Sequence, residues 1–307
     1  MAGLADKPLR TRFAPSPTGL LHVGNAYSAL ACQRWANHNQ AELLLRIEDV
    51  DHTRCRAEFI DGIYKDLNWL GLRWPEPVRL QSEHVDAYRQ AIARLRQLGV
   101  IYPCFCTRKS IQQELANMSL APHSDDSAPI YPGVCRNIQL SEQQQRMQKE
   151  PFAWRLDIEK SFDLAGHGLQ WRDDSGQYYP VEIDQDVVIG RKDIAFSYHL
   201  AVVVDDAIQG ITHIIRGVDL QDSTGIHRLL QSLLGLPEPV YMHHPLLCNA
   251  DGQRLAKRNA STTLNSLRQM GVNVQKLRDF LSDKGLLSWP FTEADESDIL
   301  NMLGNSG

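Results

Sequence analysis

The amino-acid sequence predicts an α/β fold, in which a parallel sheet is interrupted by a smaller inserted α+β module and followed by a short helical segment. Two observations lead to this prediction. Strand and helix patterns alternate over residues 8–100, and the composition changes over residues 101–185. At roughly 150 residues per domain, a chain of 307 residues is long enough for about two domains.

In the first part, residues 8–100, each strand candidate is followed by a helix candidate. Residues 11–14 predict a short strand, and the continuous apolar run at 43–47 is typical of a strand that is buried on both faces. The spacing of apolar residues predicts helices from Gly24 to about residue 37, over 59–71 and over 85–99.

The pattern changes in the inserted module, residues 101–185. The polar segment after Ser141 predicts a helix, with Ser141 and Gln144 as a capping box. Residues 152–158 and 178–183 indicate antiparallel strands. The predicted module is therefore α+β, unlike the part before it.

The apolar pattern then returns for a second half of the first domain, residues 186–245. Residues 229–234 indicate a helix there. The last part, residues 246–307, predicts two or three short helices, one of them marked by apolar residues over 274–281.

Composition and charge exclude several classes of protein. The 32 basic and 37 acidic residues give a net charge of −5, so the chain is no general nucleic-acid-coating protein, although a local field can still steer one RNA partner. No apolar stretch approaches the roughly 18 residues of a membrane span. The N-terminus has no apolar signal core, and six cysteines with one close pair fit a reducing compartment. We therefore expect a cytoplasmic protein that makes no membrane contact.

The first candidate site is the segment 12–25, Arg-Phe-Ala-Pro-Ser-Pro-Thr-Gly-Leu-Leu-His-Val-Gly-Asn. It places a strand end, a proline-stiffened glycine loop, His22 and a helix start in series. Backbone N–H groups and the helix dipole at such a position suit a phosphate, and His22 adds a donor. Considered alone, an ordinary strand-to-helix turn with a capping histidine explains the segment at least as well.

The second candidate site lies more than two hundred residues later, at 252–258, Gly-Gln-Arg-Leu-Ala-Lys-Arg. Three cations within five positions of a glycine-led loop suit a polyphosphate whose charge grows during a reaction. A solvated basic loop is the alternative explanation.

In this order and spacing, the two segments resemble the paired signatures of class I aminoacyl-tRNA synthetases, usually written HIGH and KMSKS. The lead-in Arg-Phe-Ala-Pro-Ser-Pro-Thr-Gly resembles the glutamyl and glutaminyl branch of that class. Residues 47–51, 198–201 and 216–220 extend the resemblance, which covers about 10–265. It implies a Rossmann-type parallel sheet, split by the inserted module, in an ATP-dependent ligase.

The resemblance also implies roles for individual residues. Glutamate carries two carboxylates and one ammonium group, so its pocket needs two cationic groups and one anion, and guanidinium binds carboxylate in bidentate fashion. Arg12 and Arg216 match the carboxylate-binding arginines, and Tyr198 supplies a hydroxyl group. Glu48 matches the residue that takes the α-ammonium. The other implied glutamate residues are Phe13, Ala14, Pro15 and Ser16, and the implied ATP residues are His22, Gly24, Asn25, Arg254 and Lys257, with Mg²⁺ accompanying the ATP.

Of these residues, His22 and Lys257 are the expected catalytic pair, which contacts the phosphate oxygens. Without the motifs, a structural salt bridge would explain either arginine, and a helix-capping carboxylate would explain Glu48.

Several positions depart from the general signatures. Asn25 stands where HIGH has its last histidine, and the second signature becomes Arg-Leu-Ala-Lys-Arg. Lys257 corresponds to the second lysine of KMSKS. Arg254 stands at the position of the first lysine and is also positively charged, whereas Ala256 stands at the position of the serine and lacks its hydroxyl group. The departures affect the expected activation rate and leave the reaction type unchanged.

The C-terminal part separates the expected subfamilies. Residues 258–307 are too few for the large helical domain with which glutamyl-tRNA synthetases read the anticodon, so none is expected in 246–307. A short chain of this type resembles the glutamyl-queuosine tRNA(Asp) synthetases, which esterify L-glutamate to queuosine at the wobble position of tRNA(Asp). The alternatives are a minimal glutamyl-tRNA synthetase that charges the 3′ end of tRNA(Glu), and a non-catalytic paralogue that binds tRNA or nucleotide. A monomer is the default expectation.

Close cysteines mark a candidate metal site in the inserted module. Cys104 and Cys106 are separated by one residue, and Cys135 follows in the segment Tyr-Pro-Gly-Val-Cys. Three thiolates satisfy most of a tetrahedral zinc site. Reduced, buried cysteines are the alternative.

The fourth zinc ligand is not determined by chemistry alone. His123 and Asp125 are nearby candidates. The resemblance instead implies Tyr131, because the family pairs two close cysteines with a Tyr-x-x-x-Cys segment. We expect one structural zinc per chain, held by Cys104, Cys106, Tyr131 and Cys135.

Overall fold

A computed structural model describes residues 8–107, 109–110, 131–190, 196–248, 263–283 and 294–295. The first part is built on parallel strands, as the sequence predicts. Strand β1 (Arg10–Phe13) pairs in parallel with β2 (Glu42–Ile47), and β2 pairs in parallel with β3 (Arg79–Leu80). The apolar run of β2 is largely buried, because both faces of the strand pack against neighbouring elements.

Helices follow these strands at the predicted places. They are α1 (Val23–His38), α2 (Ala57–Trp69) and α3 (Val85–Gln97). Gly71 and Gly99 lie just beyond α2 and α3 with φ angles of +77° and +73°, a left-handed conformation that favours glycine. The three helix predictions are confirmed to within two residues at each end.

The strands of the inserted module run antiparallel, as predicted. One sheet has the order β4 (Ile101–Cys104), β5 (Ala153–Leu156) and β8 (Val187–Gly190), and a hairpin joins β6 (Gln170–Arg172) to β7 (Tyr178–Pro180). Strand β8 lies beyond residue 185, the predicted end of the module. The helices of the module are α4 (Leu140–Lys149) and α5 (Ile158–Ala165).

The capping box predicted for α4 is wrong. The helix begins at Leu140, its N-cap is Gln139, and Ser141 therefore lies within the first turn. The side chain of Gln143 donates to the carbonyl of Ile138 at 2.9 Å. This bond joins the first turn of the helix to the residue before its N-cap, and no side chain caps the helix start.

The parallel pattern returns after the module. Helix α6 (Tyr198–Ile208) leads to β9 (His213–Gly217), and α7 (Ser223–Leu234) leads to β10 (Val240–His244), which pairs in parallel with β9. The backbone N–H of Thr212 donates to the carbonyl of Arg10 at 3.0 Å. Strand β9 therefore lies beside β1, and the two halves of the parallel part meet there.

The last part contains the predicted short helices and, in addition, a strand pair. The helices are α8 (Leu264–Gln269) and α9 (Val274–Asp283), and β11 (Leu247–Cys248) pairs in parallel with β12 (Ala294–Asp295). Buried leucines of α8 and α9 join the core formed by α1, β1, β2 and α2. No helix in the described part of the chain is long and apolar enough to cross a membrane.

Candidate active site

The residues that follow β1, β2 and β9 surround a cavity of about 370 Å³. Every predicted glutamate or ATP residue within the described ranges lines it: Arg12, Phe13, Ala14, Pro15, Ser16, His22, Gly24, Asn25, Glu48, Tyr198 and Arg216. These residues are up to two hundred positions apart in the chain, and the ends of the parallel strands bring them together. Arg254 and Lys257 lie outside the described residues.

The start of α1 forms one part of the cavity wall. His22 is the N-cap residue, and its backbone N–H donates to Oδ1 of Asn25 at 3.0 Å. Asn25 thus satisfies a backbone donor at the helix start, which explains an amide side chain at this position. The N–H groups and the dipole of the helix start favour an anion there.

Gly24 allows the ring of His22 to lie close to the first turn of α1. A Cβ atom at Gly24 would meet Cε1 and Nδ1 of the His22 ring at 3.0 Å. That distance is tighter than an ordinary van der Waals contact. A larger residue here would therefore displace the His22 ring by a few tenths of an ångström.

The wall formed by Arg12, Glu48, Tyr198 and Arg216, which we call the arginine wall, rests on a buried ionic network. Nε of Arg12 donates to Oδ1 of Asp206 at 3.0 Å, and Nη1 of Arg46 donates to the same oxygen at 2.7 Å. Nη2 of Arg46 donates to Oε1 of Glu48 at 3.1 Å. Burial acts to raise the pKa of Asp206, but Arg12 and Arg46 together hold it below its usual value.

Asp205 extends this network on the side away from Glu48. It accepts from Arg79 at 2.8 Å, from Nε2 of Gln81 at 2.9 Å and from the hydroxyl of Tyr88 at 2.8 Å, and Arg46 lies 3.9 Å from it. The network therefore contains as many cations as carboxylates. The cations are Arg12, Arg46 and Arg79, and the carboxylates are Glu48, Asp205 and Asp206.

Arg216 lies in the same wall but has only neutral partners. Its Nη1 donates to Nδ1 of His227 at 3.0 Å, its Nη2 to Oγ1 of Thr224 at 2.7 Å and its Nε to Nε2 of His243 at 3.3 Å. The guanidinium is buried and lies 5.3 Å from the ring centre of Tyr241. Among the residues that the structure describes, no carboxylate forms an ion pair with Arg216.

The histidines around Arg216 are neutral at physiological pH. Burial lowers the pKa of His243 to about 3 and that of His199 to about 4, and the charge of Arg216 adds to both shifts. The same two causes hold the pKa of His227 well below its usual value. Nε2 of His227 lies 3.1 Å from Nδ1 of His199, so the two rings share a hydrogen bond.

Several residues of the site were not predicted from the sequence. Asp205 and Asp206 are adjacent acidic residues in the otherwise apolar helix α6, and that pattern is a signal that could have identified them. Arg46, His227 and His243 have no such signal, because each occurs in a sequence that an ordinary strand or helix would explain. Other cavity residues outside the predicted set are Tyr27, Ser28, Ile215, Gly217, Asp219, Leu220, His244, Leu246 and Leu247.

The chain on either side of the predicted basic loop reaches the cavity. Before the loop, Leu246 and Leu247 line it. After the loop, Thr263 forms an isolated β-bridge with His22, and the N–H of Leu264 donates to the carbonyl of Leu21 at 2.8 Å. The loop residues themselves lie outside the described part of the chain.

Three of the predicted zinc ligands form a compact cluster. The sulfur atoms of Cys104, Cys106 and Cys135 all lie within 4.8 Å of one another, with 3.5 Å between those of Cys106 and Cys135. The hydroxyl of Tyr131 lies 3.5 Å from the sulfur of Cys104. Zinc–sulfur bonds of about 2.3 Å place tetrahedral ligands about 3.8 Å apart, so this donor set fits zinc. His123 and Asp125 lie outside the described residues.

Comparison with known proteins places these features in a family. The family model for "tRNA synthetases class I (E and Q), catalytic domain" matches residues 8–304. A glutamyl-Q tRNA(Asp) synthetase of Rhodobacter capsulatus is 40% identical, over 87% of this chain and 98% of its own. A glutamate–tRNA ligase of a Synechococcus species is 36% identical, over 94% of this chain and 60% of its own.

A solved structure agrees with these matches. The crystal structure of a glutamate tRNA ligase from Elizabethkingia meningosepticum, in complex with its amino acid, superposes with a TM-score of 0.69 at 27% identity. The match covers 83% of this chain and 53% of that one, so the chain spans about half the length of that ligase.

The chain belongs to the class I tRNA synthetases of the E and Q group, and it is an enzyme, a ligase of the aminoacyl-tRNA synthetase type. The predicted parallel α/β catalytic domain is thereby confirmed. The narrower resemblance to the glutamyl-Q tRNA(Asp) synthetases is confirmed as well, since several relatives at 38–41% identity carry that name.

Proposed function

We propose that the protein activates L-glutamate with ATP and transfers the glutamate to the queuosine base at the wobble position of tRNA(Asp). The observation that carries the activation step is the cavity itself, where the arginine wall stands beside the start of α1. The choice of acceptor is supported by the similarity to the glutamyl-Q tRNA(Asp) synthetase of R. capsulatus over 98% of that protein's length.

The arginine wall matches the charges of glutamate. Arg216 keeps N–H groups that its neutral partners do not use, and Arg12 engages Asp206 only through Nε, so both offer donors to a carboxylate. Burial raises the pKa of Glu48, while Arg46 and Arg12 oppose that shift. A substrate ammonium beside Glu48 favours its charged form and completes the pairing.

Activation needs no nucleophilic side chain. An oxygen of the glutamate α-carboxylate attacks the α-phosphorus of ATP in line, and the bond to pyrophosphate breaks as the new bond forms. Catalysis then depends on positioning and on charge stabilisation at the phosphates. His22 and the first N–H groups of α1 are the proposed donors to phosphate oxygens, and Mg²⁺ is proposed to accompany the ATP.

Lys257 is proposed as the second phosphate contact. Support comes from the positions of its flanking segments, since Leu247 lines the cavity and Thr263 is paired with His22. The described residues on both sides of 249–262 therefore border the cavity, and we propose that the lysine stabilises the charge of a bound polyphosphate.

Zinc is proposed as a structural metal held by Cys104, Cys106, Cys135 and the hydroxyl of Tyr131. When bound, it would cross-link the end of β4 to the segment 131–135 of the inserted module. No chemical step of the proposed reaction involves it.

The experiment for this proposal incubates the enzyme with labelled glutamate, ATP, Mg²⁺ and one of three RNAs. They are queuosine-bearing tRNA(Asp), the same tRNA without queuosine, and tRNA(Glu). Each is used with and without prior periodate oxidation of its 3′ end. We expect label on the first RNA alone, and label that survives periodate.

Label on tRNA(Glu) that periodate blocks would contradict the proposed acceptor and identify a minimal glutamyl-tRNA synthetase. No label on any RNA, together with no glutamate-dependent exchange of pyrophosphate into ATP, would contradict activation as well.

A further inference from the structure

The charges of the arginine wall are distributed unevenly. Arg12 is paired with Asp206 inside a network whose three cations face three carboxylates. Arg216 is only 5% exposed and stands outside that network with neutral partners. A buried cation without a counter-ion is costly, so one is expected where a bound ligand supplies the missing charge.

The hydrogen bonds around Arg216 admit one arrangement of protons. A guanidinium only donates, so Nδ1 of His227 and Nε2 of His243 must both be acceptors. The proton of His227 is then on Nε2, from which it donates to His199. Thr224 accepts from Arg216 at 2.7 Å and can donate to His243 at 3.2 Å. All three rings are neutral in this arrangement.

We propose that His227, His243 and Thr224 are positioning residues that determine charge specificity, because they hold the guanidinium of Arg216 with neutral acceptors and leave its positive charge for the substrate. This inference rests on the proposed function and deepens it. L-glutamate carries a net charge of minus one, which compensates Arg216. L-glutamine is nearly isosteric and has no net charge, so with glutamine bound the site keeps one uncompensated positive charge.

The low pKa values of His199, His227 and His243 agree with this arrangement. The titratable and charged groups near the three rings also include Arg12, which is paired with Asp206, and His244, which lies near Asp219 of the cavity wall. The ring of Tyr198, 5.5 Å from His227, is uncharged at neutral pH. Arg12, the other cation of the arginine wall, has a carboxylate partner. We therefore expect the selectivity for glutamate over glutamine to depend on Arg216.

The matched pair of variants His227→Asn and His227→Asp tests the inference. Both side chains can place an oxygen near the position of Nδ1, and they differ in charge. Amino-acid-dependent exchange of pyrophosphate into ATP is measured with glutamate and with glutamine, and thermal unfolding is followed for each variant. His213→Asp, a half-buried change on β9 that is not part of the cavity wall, is the control for added charge.

We expect His227→Asn to keep most of the preference of the wild type for glutamate. His227→Asp should raise the KM for glutamate by about 10- to 100-fold and lower the glutamate-to-glutamine ratio of kcat/KM by a similar factor. The KM for ATP should change little. The unfolding temperature of His227→Asp should equal or exceed that of His227→Asn, because the new carboxylate pairs with Arg216.

Equal glutamate-to-glutamine ratios of kcat/KM in the two folded variants would overturn the inference. If residue 227 had only a structural role, pairing Arg216 with a carboxylate would not change this ratio. If His227→Asp does not fold, the pair His243→Gln and His243→Glu, whose longer side chains can place an oxygen near the position of Nε2, makes the same comparison at Nε of Arg216. Failure of the proposed function is recognised separately, because wild-type enzyme would then lack glutamate-dependent exchange.

Discussion

At the scale of single residues, Arg12 and Arg216 have different electrostatic surroundings although the sequence assigns them the same role. The motifs predicted that both line one site, and in the structure both line the same cavity. The pairing of Arg12 with Asp206 could not be predicted, because the two are 194 positions apart and only the fold brings them together. The neutral partners of Arg216 were missed for the same reason.

Gly24 gives a test at this scale. In Gly24→Ala the added Cβ would press on the ring of His22, so we expect glutamate-dependent pyrophosphate exchange to fall by about 10²-fold, as for loss of one phosphate donor. Gly62→Ala is the matched control on α2, since its Cβ would lie 3.4 Å from Leu20, an ordinary contact. Equal rates in both variants would contradict the role given to His22.

His213 predicts a pH dependence of stability. Burial lowers its pKa from 6.5 to about 4, and Arg172 adds to the shift. Between these values the unfolded chain binds one more proton than the folded chain. Stability therefore falls as the pH falls, by at most about 1.4 kcal/mol per pH unit from this residue.

Urea unfolding of wild type and His213→Gln at pH 7, 6 and 5 measures that contribution. The free energy of unfolding of the variant should fall less steeply towards pH 5. Parallel slopes for the two proteins would show that the folded protein does not depress the pKa of His213.

At the scale of elements, the sequence predicted most helices and strands because their signals are local. Apolar spacing and glycine ends located α1, α2 and α3, and alternation of strand and helix indicated the parallel sheet. The predictions were wrong or incomplete where a contact with a distant residue, or an unusual local contact, determines the structure. Helix α4 begins at Leu140 without a side-chain cap, and β11 pairs with β12, almost fifty residues further along the chain.

The cysteine cluster yields a test at this scale. Purified, unchelated protein should contain about one zinc per chain, and Cys106→Ser should lose most of it because a hydroxyl is a poorer zinc ligand than a thiolate. Cys55→Ser, in a loop between β2 and α2 and outside the cluster, is the control and should keep the metal. Zinc-free wild-type protein would contradict the site.

At the scale of the whole molecule, the C-terminal helices are part of the first core. Helix α8 packs against α2, where Asp66 is fully buried and lies 3.3 Å from Arg268. Burial raises the pKa of Asp66, and Arg268 opposes that shift. The apolar pattern predicted short helices in this part of the chain, but it gave no information on which face of the catalytic domain they cover.

Arg268→Met should therefore destabilise the protein, by about 1–3 kcal/mol after allowance for the partial exposure of Arg268. Because the pKa of Asp66 is raised, its carboxyl becomes neutral as the pH falls, so the loss should be larger at pH 8 than at pH 5. Denaturant unfolding at the two pH values measures this. The double variant with Asp66→Asn should recover part of the loss, and an equal loss at both pH values would contradict the buried ion pair.

The most direct test of the central claim, that the arginine wall binds glutamate for activation, is pyrophosphate exchange into ATP by wild type and Arg216→Ala. Wild type should exchange with glutamate and far less with glutamine or aspartate. Because Arg216→Ala removes the buried charge that meets the substrate, its exchange should fall by about 100- to 1,000-fold while the protein remains folded. Near-normal exchange by folded Arg216→Ala would contradict the claim.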